Sequence, residues 1–296
     1  MTGYRGVVNT VRMSLRQWSS EIYTAEFKEL QAGSLSVSRD GQLGVLAGRR
    51  HLALINMDDP KELVKKVGRT SRWEVGTAQW NPSSQYSNHI ALFCNDKIEI
   101  YVWDSSDFST DEPIRGHTRQ VSDIHWNSRE PNLLASSSLD GNIYVWDLRD
   151  LKKPCQSFQT IIGASHIRWS RDGTYLASGH EGDVKLWDAR NDSSPLTYLS
   201  AHMSRVHSID WSYTESSLVT ASNDCTVKFH TVTGKSVETS NSSLSTSVPV
   251  WRARHTPFGD GMVTVLVPHF GAHEHSLFLW NVKNLTTPVH TFVGHR

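Results

Sequence analysis

Cysteine is scarce in this chain: Cys94, Cys155 and Cys225 are the only three among 296 residues. None stands in a CxxC spacing, so neither a disulfide framework nor a zinc ribbon is expected, and a reducing compartment is. No apolar stretch approaches the roughly 18 residues that cross a bilayer, which argues against direct membrane insertion. An excess of either charge is missing too, with 30 basic and 30 acidic side chains and a formal net charge of +0. That balance removes the electrostatic footprint of a dedicated nucleic-acid binder and leaves no polybasic run for an acidic membrane. The first residues, MTGYRGVVNTVRMSLRQW, carry arginines but no apolar segment of the secretory type. The expectation is a soluble intracellular protein.

Catalytic motifs are equally sparse. GxSxG, HExxH and GxGxxG do not occur. TGKS (233–236) has half the look of a phosphate loop, but Phe229 stands where its first glycine belongs, so it reads as a hairpin turn. His269, His273 and His275 with Glu274 cluster in PHFGAHEHSLF, yet no fourth ligand is spaced for zinc, and a surface loop is the plainer reading. Gly48-Arg49-Arg50 reads as a solvated turn. No enzyme, metal or cofactor is expected.

What the chain does have is a repeat. GHTRQVSDIHWNSREPNLLASSSLDGNIYVWD (116–147), IGASHIRWSRDGTYLASGHEGDVKLWD (162–188) and AHMSRVHSIDWSYTESSLVTASNDCTVKFH (201–230) share one plan. Each runs from an apolar segment ending in Trp, through a polar turn and a small-residue segment, to a closing aromatic. One aromatic series is Trp80, Trp126, Trp169 and Trp211, followed by Trp251. A second is Trp103, Trp146, Trp187, Phe229 and Trp280. Most steps are about 40–46 residues, the period of a four-stranded propeller blade. VKLW and IYVW alternate as half-buried strands do, and DG, EG and ND supply tight turns between strands. KELVKKVG (61–68), the nearest approach to a helical period, reads as an inter-blade loop.

The repeat resembles the WD-repeat family, most closely in 116–147, which opens on Gly116-His117 and closes on Trp146-Asp147. The resemblance implies a buried hydrogen-bond chain through His117, Ser136, Asp140 and Trp146, since a carboxylate buried in a tight turn requires donors. Repeat 162–188 has Ala164 and Glu181 at the His and Asp positions, and repeat 201–230 closes on Phe229-His230. Those blades are expected to rely on packing alone. The fold class expected is all-β: a WD-repeat β-propeller with units at about 34–59, 72–104, 116–147, 162–188, 201–230 and 248–281, following an extension at 1–20. In this family each repeat supplies the outer strand of one blade and the inner strands of the next. PVHTFVGH would then be the outer strand of the sixth blade, and Gly294-His295 would open a seventh repeat. EIYTAEFKEL (21–30) would be the strand that closes the ring. A seven-bladed ring with its last blade truncated is the expectation.

The less regular stretches, VPVWRARHTPFGDGMVTVLVPHFG and HSLFLWNVKNLTTPVHTFVGH, resemble the WD-repeat subunits of the SEA/GATOR assembly of nutrient signalling. That resemblance implies a non-catalytic scaffold subunit whose partners are the other proteins of a multi-subunit complex. The complex promotes amino-acid signalling to TOR complex 1, so the implied location is cytoplasmic with recruitment to the lysosome. The alternative is a substrate receptor of a ubiquitin ligase. Candidate partner contacts are Arg69, Arg72, Arg115, Arg119 and Arg205, beside the turns that crowd one rim of a propeller. The four tryptophans at 80, 126, 169 and 211 are read as packing between blades.

Overall fold

The computed structural model describes residues 27–61, 63–190, 194–214, 216–267 and 277–292. Apart from one 3-10 turn at Lys28–Leu30, the elements are strands, arranged in six antiparallel sheets. Sheet one holds β1 (Ala32–Val37), β2 (Leu43–Gly48), β3 (His51–Asn56) and β4 (Leu63–Gly68). Sheet two holds β5 (Ala78–Trp80), β6 (His89–Cys94) and β7 (Lys97–Trp103), with an outer strand split into β8 (Phe108–Thr110) and β9 (Ile114–Arg115). Sheet three holds β10 (Val121–Trp126), β11 (Leu133–Ser138), β12 (Asn142–Asp147) and β13 (Gln156–Gln159). Sheet four holds β14 (His166–Trp169), β15 (Tyr175–Gly179), β16 (Asp183–Asp188) and β17 (Thr197–Ser200). Sheet five holds β18 (Val206–Trp211), β19 (Ser217–Ser222), β20 (Thr226–Thr233) and β21 (Ser236–Ser245). Sheet six holds β22 (Val250–His255), β23 (Gly261–Leu266), β24 (Leu277–Asn281) and β25 (His290–Phe292).

The apolar positions face between sheets, so each seam has its own core. Val45, Leu52 and Leu54 meet Trp80 and Leu92 at the first seam, and Ile143 and Phe158 meet Trp169 and Trp187 at the third. The first strand of each sheet packs on that of the next, from β1 on β5 through β18 on β22. Among the described residues no contact of comparable extent joins sheets one and six. The stretches expected to close the ring and to open a seventh repeat, 21–26 and 293–296, lie outside the described residues, as does the histidine cluster at 269–275. The described end of the expected closing strand, 28–30, is a 3-10 turn.

Two readings of the pattern change. KELVKKVG is not a loop: Leu63–Gly68 pairs with β3 as the outer strand of sheet one, alternating exposed and half-buried residues. The closing-aromatic series also shifts. Register puts Trp146 opposite Leu134 and Trp187 opposite Leu176, and the same place is taken by Tyr101 in sheet two and His230 in sheet five. Trp103 lies two residues beyond that position and packs on Phe108, while Phe229 lies one residue before it. Trp251 sits near the start of β22, where it stacks on His207; His255 occupies the place of Trp126.

Successive sheets are also tied by hydrogen bonds that the inner strands need. The first strand of a sheet has no neighbour on its channel side, so half of its backbone groups want partners. Side chains of the preceding sheet accept its N–H groups. Ser34 and Ser36 take Ala78 and Trp80 at 2.9 and 2.8 Å; Asp123 and His125 take Ile167 and Trp169, each at 3.1 Å. His166 takes Ile209 at 3.1 Å and Asp210 takes His255 at 2.9 Å. The tryptophans at 80, 126, 169 and 211 are buried at these seams.

Candidate functional site

Because the sheets are antiparallel, the turn entering each first strand and the turn between second and third strands share one rim. That rim carries the Gly-His turns, and its order comes from buried hydrogen-bond chains. In sheet three His117 Nδ1 donates to Asp140 at 3.1 Å, Ser136 donates to His117 Nε2 at 2.8 Å, and Trp146 Nε1 donates to Ser136 at 2.8 Å. Asp140 also accepts the N–H groups of Thr118 and Asn142 at 2.9 and 2.8 Å, so both turns are pinned by one carboxylate. Burial alone would raise the Asp140 pKa, but those backbone donors and His117 hold it below the usual carboxylate value. Burial lowers the His117 pKa against the pull of Asp140, which keeps the ring neutral with its proton on Nδ1.

Sheets four and five do not rely on packing alone. In sheet four His180, from the neighbouring turn, fills in for the absent His at Ala164. Trp187 donates to Ser178 at 2.8 Å, Ser178 to His180 Nε2 at 3.0 Å, and His180 Nδ1 to the Ile162 carbonyl at 3.0 Å. In sheet five His202 donates to Asp224 at 3.0 Å and Thr220 to His202 Nε2 at 2.7 Å. His230 Nε2 then donates to Thr220 at 2.8 Å, as an indole would, while its Nδ1 accepts from Thr239 at 3.1 Å. Every proton is placed if both imidazoles are neutral. Burial, then His202 and Lys228, pushes His230 down to about 3; burial, then Lys185, pushes His180 down to about 4.

Of the five arginines expected to face partners, Arg69 is a correction. It is buried, with Nη2 on both oxygens of Glu99 at 3.2 and 3.3 Å and Nη1 on the carbonyls of Gly48 and Arg49 at 3.0 and 3.1 Å. Glu99 also accepts from Tyr101 and Cys94, at 3.1 and 3.2 Å. Sheet two places this ion cluster where sheets three and four place the His–Ser–Trp chain, and desolvation makes a buried guanidinium viable only with such partners. Burial works to lower the Arg69 pKa, and Glu99, with Cys94 and Tyr101, more than reverses it. Arg72, Arg115, Arg119 and Arg205 are exposed on or beside the rim. Arg119 donates to the Leu139 carbonyl at 3.2 Å, and Arg72 lines a cleft of about 380 Å³ with Arg49, Trp73 and Gln120.

No sequence motif points to the apolar half of this rim. Trp73 is 59 % exposed, Ile161 100 % and Met203 94 %, each in the turn entering a first strand. Aromatic, Met and Arg side chains are the types enriched at protein–protein interfaces. Among the described residues no group of His, Cys, Asp and Glu is placed to hold a metal ion, and no helix is long and apolar enough to cross a membrane.

Among the described residues, six sheets built on a four-stranded plan, with Trp buried at their seams and His–Asp pairs pinning the turns of sheets three and five, define a WD-repeat β-propeller. The model of the WD domain, G-beta repeat, matches residues 109–147, 154–188 and 193–231. Within the family the chain is closely related to the GATOR2 complex protein WDR59. It is 43 % identical over 280 residues to that protein of Gallus gallus, covering 94 % of this chain and 29 % of the relative. For the Homo sapiens protein the identity is 42 % over 280 residues, covering 94 % of this chain and 28 % of the relative. Maintenance of telomere capping protein 5 of Saccharomyces cerevisiae is 32 % identical over 276 residues, covering 88 % of this chain and 24 % of the relative. The chain thus spans less than a third of the length of these relatives.

Proposed function

We propose that this propeller is a non-catalytic docking platform of a GATOR2-type complex, in which it acts as a scaffold toward other protein subunits. Amino-acid signalling to TOR complex 1, with cytoplasmic residence and recruitment to the lysosomal surface through the complex, is the setting that goes with this reading. Similarity to proteins named for that complex supports the partner class. The observation that carries the docking role is the rim itself: Trp73, Ile161 and Met203 stand exposed among Arg72, Arg119 and Arg205 on turns whose backbones are fixed from beneath. Apolar anchors supply the area that binding needs, and the arginines supply planar donors for acidic groups at its edge.

The test is a tagged pull-down of the chain, read by mass spectrometry, beside Trp73→Ala and Met203→Asp variants. Recovery of GATOR2 subunits with the parent and their loss from the variants, at unchanged melting temperature, is the expected result. Equal recovery with the variants would move docking off this rim. A cullin adaptor in place of the GATOR2 subunits would replace the reading with that of a ubiquitin-ligase receptor.

A further inference from the structure

At the other end of the channel, away from the His117 turns, each first strand ends on a polar residue one place before its last. These are Ser36, Gln79, His125, Arg168, Asp210 and Arg254, one from each of the six sheets, and all line one cavity of about 390 Å³. Arg171 and Tyr213 close its outer side, with the guanidinium of Arg171 3.6 Å from the Tyr213 ring centre. Trp169, whose indole N–H is buried without a partner, forms part of the wall.

The charges here do not cancel. Three guanidinium groups, on Arg168, Arg171 and Arg254, line the cavity with one carboxylate, Asp210, while Arg252 and Asp123 add one charge of each sign outside the lining. Two positive charges are left over. Nor are the donors used up, since a guanidinium carries five N–H groups. Among the described residues Arg168 bonds through Nη1 alone, to Asp123 and the Ile167 carbonyl, both at 2.6 Å. Among the described residues Arg254 also bonds through Nη1 alone, to the Ile209 carbonyl at 3.4 Å and Asp210 at 3.3 Å. His125 accepts the Trp169 N–H on Nδ1, which leaves its proton on Nε2 as another donor of the lining. Burial, then Arg254, pushes the Arg168 pKa down to about 9 against the pull of Asp123.

We infer that this cavity binds a phosphate monoester dianion. A dianion matches the two uncompensated charges. Its three terminal oxygens can take donors from Arg168, Arg171 and Arg254 at once, and the aromatic wall accommodates the organic group that bears the phosphate. The cavity has room for one small phosphorylated molecule or one phosphorylated side chain, and the site stands apart from the docking rim.

The test is calorimetric titration of the chain in low-chloride buffer with inorganic phosphate, phenyl phosphate and a phosphoserine peptide. Dissociation constants for phosphate and phenyl phosphate on the order of 1 mM or tighter are expected. Arg171→Gln and Arg254→Gln, both partly exposed at the mouth, should each weaken binding by about tenfold at an unchanged denaturation midpoint. A peptide that binds at least about tenfold tighter than phenyl phosphate assigns the site to a phosphorylated partner; one no tighter assigns it to a free metabolite. Broadening of the phosphate line in phosphorus NMR, relieved by phenyl phosphate, tests the site in the unmodified chain. No binding of any probe at about 10 mM, or binding unchanged in the double variant, overturns the inference.

Discussion

His230 stands where other sheets place tryptophan, and that exchange makes the stability of sheet five depend on pH. The ring is neutral in the fold, with a pKa near 3, whereas an unfolded histidine titrates near about 6.5. Below about pH 6.5 the unfolded chain therefore binds a proton that the fold refuses, and stability falls as pH falls. With about 1.36 kcal/mol per pH unit, the loss from this one group between about pH 7 and pH 5 is about 2 kcal/mol. His180, held near 4, contributes a similar amount over the same interval, and the lowered His117 and His202 act in the same direction. A His230→Trp substitution isolates the His230 share: the indole N–H can donate to Thr220 as Trp187 donates to Ser178, and it does not titrate. Urea unfolding followed by far-UV circular dichroism at the two pH values, with slopes checked for equality, gives the two losses. The variant should lose about 2 kcal/mol less than the parent on going from about pH 7 to pH 5, whatever its own stability at neutral pH. Equal losses would show that His230 is not held neutral and would refute its role as a stand-in for the indole.

Other expectations follow from the same seams and turns. Ser136→Ala orphans both the Trp146 N–H and His117 Nε2, and should cost about 2–4 kcal/mol by denaturant titration. Arg69→Ala leaves Glu99 buried without its cation and should cost about 3–5 kcal/mol; adding Glu99→Gln should recover part of that, measured as a double-mutant cycle. Gly163→Ala would set a methyl 2.6 Å from the Ser138 carbonyl oxygen and 2.7 Å from the Leu139 Cα, so the turn must move and the melting temperature should fall. Arg119→Glu, which alters an exposed rim side chain, should leave stability within about 0.5 kcal/mol while weakening subunit recovery.

The architecture was legible because it rests on a period, and a period survives substitutions at single positions. Tryptophans at 80, 126, 169 and 211 recur with the polar turn after them, and all four are buried where one sheet meets the next. The closing positions were less legible because a WD dipeptide misleads when the strand is longer. Trp103-Asp104 resembles Trp146-Asp147, but β7 extends further and the register gives Tyr101 the core place. His230 is masked in the sequence by Phe229 beside it, since a phenyl ring looks like a better match to tryptophan than an imidazole does. The physical requirement at that place is a donor N–H aimed at Thr220, and phenylalanine has none.

Charged residues were harder still, because burial belongs to the fold and not to the residue type. Arg69 and Arg72 lie three positions apart before the same strand, and only register with Glu99, 30 residues on, puts one inside and the other at the rim. The channel set is the extreme case. Ser36, Gln79, His125, Arg168, Asp210 and Arg254 share a structural place but no chemistry, so no motif unites them. Some of that variety serves the seams: Ser36, His125 and Asp210 accept a backbone N–H from the next sheet, which any small or acidic acceptor can do. Arginine cannot accept, so Arg168 and Arg254 are not explained by that duty. Each reaches back to the preceding sheet, Arg168 onto Asp123 and Arg254 onto Asp210, and each has N–H groups to spare. A fold that needed only acceptors at these places would carry no excess of cations there, and the excess is what marks the channel mouth as a place for an anion.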